Sequence, residues 1–276
     1  MKNKTLLFAA LVSVFGWCCI SCEPNEPMNY IGKPFSVSDN KKVIFSQGNL
    51  QYTKLTHTWS FAAQQYEMIG EDNINGRKLA GKIDLFGWSG NIGAAKWGIS
   101  TSMDNNDYSG DLADWGQNIG DGTIWRTLTK DEWEYVLFNR TNADTKKGAA
   151  RINLDEAGTT YANGLILLPD TWNCPDGVIF TLGFYDNDYV HTEQDYADHQ
   201  TFTLEQWKKL EAAGAVFLPA SGCRRDQSVS SVQTGSIYWS ATPYNSDVAY
   251  SLNFLFGGSH TSYRCIGLAV RLVRDL

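Results

Sequence analysis

Apolar and polar residues alternate along three stretches near the C-terminus: Ile237-Tyr238-Trp239, Tyr250 to Phe254, and Ile266 to Val273. A period of two carried by β-branched and aromatic residues predicts strands. In the middle stretch Leu252, Phe254 and Phe256 share one face, and in the last Leu268, Val270 and Leu272 do. The same period runs through Pro34 to Ser38, Lys42 to Ser46, Gln47 to Tyr52 and Thr58 to Phe61, and shorter runs at 166–169, 178–180 and 217–220 read as further strands. Helical spacing is confined to two places. Thr129-Lys130-Asp131-Glu132 is a capping box, and Trp133, Val136 and Leu137 follow at i, i+3, i+4, which predicts a helix over 129–140 with one buried stripe. Thr203-Leu204-Glu205-Gln206 is a second capping box, with Leu204, Trp207 and Leu210 on one face and Gly214 as the stop. Residues 70–122, rich in Gly, Asn and Asp, read as long loops pinned by Phe86, Trp88, Trp97, Tyr108 and Trp115.

Between the C-terminal strands lie two turn-rich loops, Pro243 to Asp247 and Gly257 to Arg264, written in Tyr, Ser, Asn, Gly and His. Tyrosine offers large contact area at low entropic cost, and Ser, Asn and Gly offer adaptable hydrogen bonding. The candidate ligand-binding set is therefore Trp239, Tyr244, Asn245, Ser246, Asp247, Phe256, His260, Tyr263 and Arg264. Tyr244 and Tyr263 would stack or pack, Asn245, Ser246 and His260 would hydrogen-bond, and Asp247 and Arg264 would supply charge selectivity. Such a set suits a glycan or an extracellular protein.

The first 21 residues carry a basic start, Lys2 and Lys4, then an apolar run from Leu6 to Trp17, then Cys19-Ile20-Ser21-Cys22. A run this short does not span a bilayer, and its flanks predict a lipoprotein signal peptide over 1–21, cut before a lipidated Cys22. Residues 22–32 then form a tether and 33–276 a single domain with an N-terminal β-rich extension. The formal charge is −7, and loss of Lys2 and Lys4 makes it −9. An acidic chain without a basic stripe repels phosphate backbones, which argues against nucleic acid. After Cys22, three thiols remain at Cys174, Cys223 and Cys265, enough for one disulfide, with Cys223–Cys265 the favoured pair and reduced thiols the alternative.

Two acidic clusters raise the question of calcium. Asp104, Asp107, Asp111 and Asp114 form one, and Asp186, Asp188, Glu193, Asp195 and Asp198 with His191 and His199 form the other. Oxygen-rich sets of this kind could hold Ca²⁺, with Asp186, Asp188, Asp104 and Asp107 as the metal candidates, although Tyr108 and Ser109 break the EF-hand spacing. Solvated loop charge is the plainer reading.

The words YWSATPYN, AYSLNF and IGLAVRLVRD resemble the closing motifs of C-type-lectin-like domains of the formylglycine-generating-enzyme branch, and the ends of variable proteins that diversity-generating retroelements mutate. FSVSDNKKVIFSQGNLQY, IDLFGWSG and WRTLTKDEWEYVLFNR resemble a group of bacterial surface lipoproteins, so the similarity extends over nearly all of the chain after the leader. The resemblance implies an α+β, C-type-lectin-like fold with two helices, a small antiparallel sheet and long irregular loops. It also implies an outer-membrane lipoprotein exposed at the cell surface, whose C-terminal loops bind a ligand and vary by retroelement action. The alternatives are a pilus-tip or adhesin component and a formylglycine-generating-type oxidase. Those oxidases bind copper through a closely spaced cysteine pair, whereas Cys223 and Cys265 stand 42 residues apart.

Overall fold

The computed structural model describes residues 30–74, 81–120, 124–180, 192–253 and 258–276. Among them are 18 strands in five sheets and three short α-helices, with about 20% of residues helical. This overturns the expectation of an α+β, C-type-lectin-like fold with two helices and one small sheet. The helices are only five, seven and nine residues long, Lys130–Glu134, Glu193–His199 and Leu204–Ala212. Much of what reads as loop in the sequence pairs as strands of two to four residues, too short to show a period.

The central sheet has five strands in the order Gly258–Tyr263, Val248–Asn253, Ile237–Pro243, Leu268–Ala269, Leu85–Phe86. Its pairings are antiparallel except the one between Ile237–Pro243 and Leu268–Ala269. Successive side chains of a strand point to opposite faces. Tyr238 and Leu252 accordingly enter one apolar cluster with Phe35, Phe45, Trp133 and Leu218, while Trp239 and Ala249 enter a second with Trp88, Tyr108, Trp115 and Phe86. Leu268, Val270 and Leu272 all lie in the second cluster, as their alternation predicts. Phe254 and Phe256 lie outside the described residues.

The last strand, Leu272–Asp275, leaves this sheet and pairs with Lys41–Phe45 and Arg126–Thr127, with Phe35–Ser38 at the far edge. A third apolar cluster, around Ile166, Phe202, Trp207 and Phe217, backs the four-stranded sheet that contains Lys147–Asn153 and Tyr161–Leu167. Both predicted capping boxes form: Thr129 with Glu132 and Thr203 with Gln206 each make the reciprocal pair of hydrogen bonds. Thr192 and Asp195 form another, on the helix the sequence reading placed in a solvated loop. Trp133, Val136 and Leu137 are buried, and the helix relaxes into a π-turn over Tyr135–Asn139.

Candidate functional site

The C-terminal candidates divide into a displayed group and a buried group. Residues Pro243 to Asp247 form an exposed turn between strands Ile237–Pro243 and Val248–Asn253. The side chain of Asn245 builds this turn: its Oδ1 accepts from the Asp247 and Val248 amides, at 2.9 Å each. The Val248 carbonyl accepts from the Tyr244 and Asn245 amides at 3.0 Å. Ser246 donates to the Asp247 carboxylate at 3.2 Å. Tyr244 is 60% exposed and stands edge-on to Tyr250, with ring centroids 5.4 Å apart. The ammonium of Lys130 lies 5.4 Å from the centre of the Tyr250 ring.

Arg264 ties this turn to the body. Its guanidinium donates to the Asn245 carbonyl at 2.6 Å and to the Gly110 carbonyl at 2.8 Å, and lies 4.2 Å from the centre of the Trp88 ring. Its amide donates to the Asp247 carbonyl at 2.9 Å, and its carbonyl accepts from the Trp88 amide at 2.7 Å. The side chain is buried, so desolvation lowers its pKa, against the opposing pull of Asp247 and Asp111. The role in charge selectivity expected from sequence is therefore corrected: Arg264 positions the loop and presents no free charge. Trp239 is corrected as well. It is fully buried, donates from Nε1 to the Phe86 carbonyl at 2.6 Å, and belongs to the core.

The second expected loop is mostly strand. Gly258–Tyr263 pairs with Val248–Asn253 over six residues, with His260 opposite Ser251 and both His260 and Tyr263 exposed. Phe256 lies outside the described residues, as do the lipidation site Cys22 and the metal candidates Asp186 and Asp188. Of the other metal candidates, Asp104 is engaged within its own turn. Asp104 caps the turn Asn105–Tyr108 through the Asn106 amide at 3.0 Å, and Asp107 lies inside that turn. Asp114 accepts from the Gly116 and Thr127 amides, at 2.9 Å each. Among the described residues no three acidic, histidine or cysteine side chains converge on a point where Ca²⁺ could sit.

Cys223 and Cys265 are buried and unpaired, and Cys174 is exposed and unpaired. The favoured disulfide does not form: both thiols are free, Cys265 sits in the turn that the Ile266 amide closes on the Tyr263 carbonyl, and the Cys223 sulfur lies 3.4 Å from Ser230 Oγ. Burial pushes the Cys265 thiol up, against the lowering effect of Arg225 and Arg224, so the basic dipeptide does not activate it.

The sequence reading missed three participants. Trp88 and the Tyr108 and Gly110 carbonyls form the floor on which Arg264 rests, and Ile92, 67% exposed, stands beside Gly110. Glycine is required at 110: its φ is +94°, and a Cβ there would lie 2.3 Å from Asn91 Oδ1. Arg224 is also buried, with both Nη atoms unpartnered, and Gly267 makes room for it, since a Cβ would fall 2.8 Å from Nε. The placement of arginines 264 and 271 between apolar neighbours, such as Cys265-Ile266 and Val270-Leu272, was the available signal that these cations are interior.

Comparison with protein-family models, curated proteins and solved structures finds no match for the chain.

Proposed function

We propose that this is a lipid-anchored, cell-surface protein that binds an extracellular protein or glycan through the Pro243 to Asp247 turn and the adjoining Tyr263. The observation that carries the reading is the way exposed tyrosines and small polar groups are held on a buried pin. Tyr244 and Tyr263 stay 60% and 57% exposed while Arg264, between them, fixes the turn backbone from beneath. A turn ordered before binding loses less entropy on contact, and exposed aromatics beside amides are common binding anchors. The lipid anchor is assigned to Cys22 from its leader, and display at the outer surface to the acidic residues Glu23 and Glu26 of the tether, which resemble the export signal of surface lipoproteins. No described helix is long and apolar enough to cross a membrane.

The test is a screen of the full lipidated chain, in detergent, against glycan and cell-surface protein panels. Replacing Tyr244, His260 and Tyr263 together by Ala should weaken any hit about tenfold or more. Undiminished binding by the triple variant would remove the site assignment. Cys22→Ala should move the protein from the membrane fraction to the soluble one. Retroelement diversification of these loops has its own test in the neighbouring DNA: a reverse transcriptase gene and a near-repeat of the 3′ end differing at adenines.

A further inference from the structure

Among the described residues the central sheet ends in an unpaired edge. Strand Gly258–Tyr263 pairs on one side with Val248–Asn253, and among the described residues no strand lies on its other side. The hydrogen bonds at the end of the ladder decide which backbone groups point outward. The Val248 carbonyl turns away from this strand, toward Tyr244 and Asn245, whereas the Asp247 carbonyl turns toward it and accepts from the Arg264 amide. In an antiparallel strand one residue's N–H and C=O point to the same side, and the side alternates along the chain. Ser262, His260 and Gly258 therefore bond inward to Ala249, Ser251 and Asn253, and Ser259, Thr261 and Tyr263 direct their backbone groups outward. Thr261 and Tyr263 are exposed and Ser259 is half-buried. Proteins guard such edges with proline, lysine, charge or a bulge. This strand, GSHTSY, has no Pro, Lys, Asp, Glu or Arg, and its register runs unbroken over all six pairs.

We propose that this edge pairs with a second copy of the chain about a two-fold axis at Thr261, joining two five-stranded sheets into one. The register is self-complementary. Thr261 faces Thr261 of the second copy, and Ser259 faces its Tyr263 in both directions, so each outward residue meets an outward residue in a hydrogen-bonded pair. No like charges meet, and a threonine pair is a favourable cross-strand neighbour. The same register accounts for two exposed rings. Phe138, 45% exposed, lies beside Gly258 at one end of the strand, and Tyr263, 57% exposed, lies at the other. Antiparallel pairing brings Tyr263 of each copy opposite Ser259, one residue from Gly258, and so next to Phe138 of the other copy. An unrelated extended peptide would satisfy the backbone but has no reason to match both rings by symmetry. In the dimer Tyr263 is engaged at the seam, which leaves ligand contact to the Pro243 to Asp247 turn, and the pairing itself needs no ligand there.

Sedimentation velocity of the full chain in detergent, at tens of micromolar, should show a dimer. Thr261→Pro and Thr261→Lys should each weaken it about tenfold or more. The Thr261 amide points outward, so proline removes no bond to the neighbouring strand, and lysine sets two like charges face to face across the axis. Ser228→Lys, on the exposed strand Ser228–Ser230, should leave the dimer unchanged. In a Cys174→Ser background, Thr261→Cys should give a disulfide-linked dimer under mild oxidation and Ser228→Cys should not. A monomeric wild type, a dimer that survives both Thr261 variants with native circular dichroism, or equal cross-linking at both cysteines would each overturn the proposal.

Discussion

The central strand Ile237–Pro243 and the edge strand Gly258–Tyr263 belong to one sheet and are built from opposite materials. The first buries Ile237, Tyr238, Trp239 and Ser240 in succession, with Tyr238 and Trp239 feeding two different apolar clusters. The second is written in hydroxyls, glycine and one imidazole, and its outer half is wet. Stability in this sheet therefore comes from the centre, through apolar area removed from water on both faces. The edge contributes backbone pairing and little apolar burial, which leaves Thr261 and Tyr263 exposed for contact with something outside the fold.

The largest effect that would break this contrast is at its centre. Trp239→Ala should cost about 3 to 5 kcal/mol in a denaturant titration, from the cavity and the lost Nε1 bond to Phe86. Thr261→Ala on the edge should stay within about 0.5 kcal/mol in the same titration. Comparable losses at the two positions would end the argument that centre and edge carry different loads.

A buried carboxylate sharpens it next. Asp84 is fully buried between the Ile69 amide and Asn73, with no cation in ion-pair contact among the described residues, and desolvation raises its pKa from 3.8 to about 6. The folded state binds this proton more tightly than the unfolded chain does. Its contribution is thus fully present below 3.8 and declines as pH rises through about 6, by on the order of 3 kcal/mol in all. Asp84→Asn cannot titrate. The stability of wild type relative to the variant, from urea midpoints, should fall by that order between about pH 4 and pH 7. A constant difference across that range would refute the assignment.

Arg264 stands between the two regimes, a core residue in the service of a surface loop. Arg264→Lys keeps the charge but cannot reach both the Asn245 and Gly110 carbonyls from one planar group. It should cost about 1 to 3 kcal/mol, and the amides of Asp247 and Val248 should exchange with solvent faster. Smaller again is Thr129→Ala, which removes one half of a capping box and should cost about 1 kcal/mol in thermal unfolding.

What the sequence revealed follows the range of each interaction. Capping boxes span four residues, so Thr129 and Thr203 announced their helices correctly. The alternation in the last forty residues likewise located Ile237–Pro243, Val248–Asn253 and the shared face of Leu268, Val270 and Leu272, but Gly258–Tyr263, read as loop, is a strand. Two-residue strands such as Leu85–Phe86 and Arg126–Thr127 have partners at Leu268–Ala269 and Leu272–Asp275, well over a hundred residues away. No local period marks them, and they read as loop. The fold class was lost in the assembly: strands near 34–38, 42–46, 47–52, 58–61, 166–169 and 217–220 are legible, but which sheets they join is not. Within the site, Tyr244 and Tyr263 were placed correctly on the surface, because their neighbours are turn-formers and hydroxyls. Trp239 and Arg264 were not, because burial depends on what the rest of the chain packs over them.

The smallest expected change in stability is at Tyr244, and it is the most informative about function. Its ring makes one edge-on contact with Tyr250 and is otherwise open to solvent. An exposed aromatic pair adds roughly 0.5 to 1.5 kcal/mol where both rings are desolvated, and less here, where one is mostly wet. Tyr244→Ala should therefore shift the unfolding midpoint by no more than about 0.5 kcal/mol equivalent, and Asn245 should keep the turn closed through its bonds to Asp247 and Val248. Amide exchange at Val248 would then match wild type. A residue so exposed and so dispensable to the fold is where the proposed contact with another molecule is best tested. If Tyr244→Ala instead unfolds the turn, the ring is a structural prop and the recognition surface must be sought elsewhere.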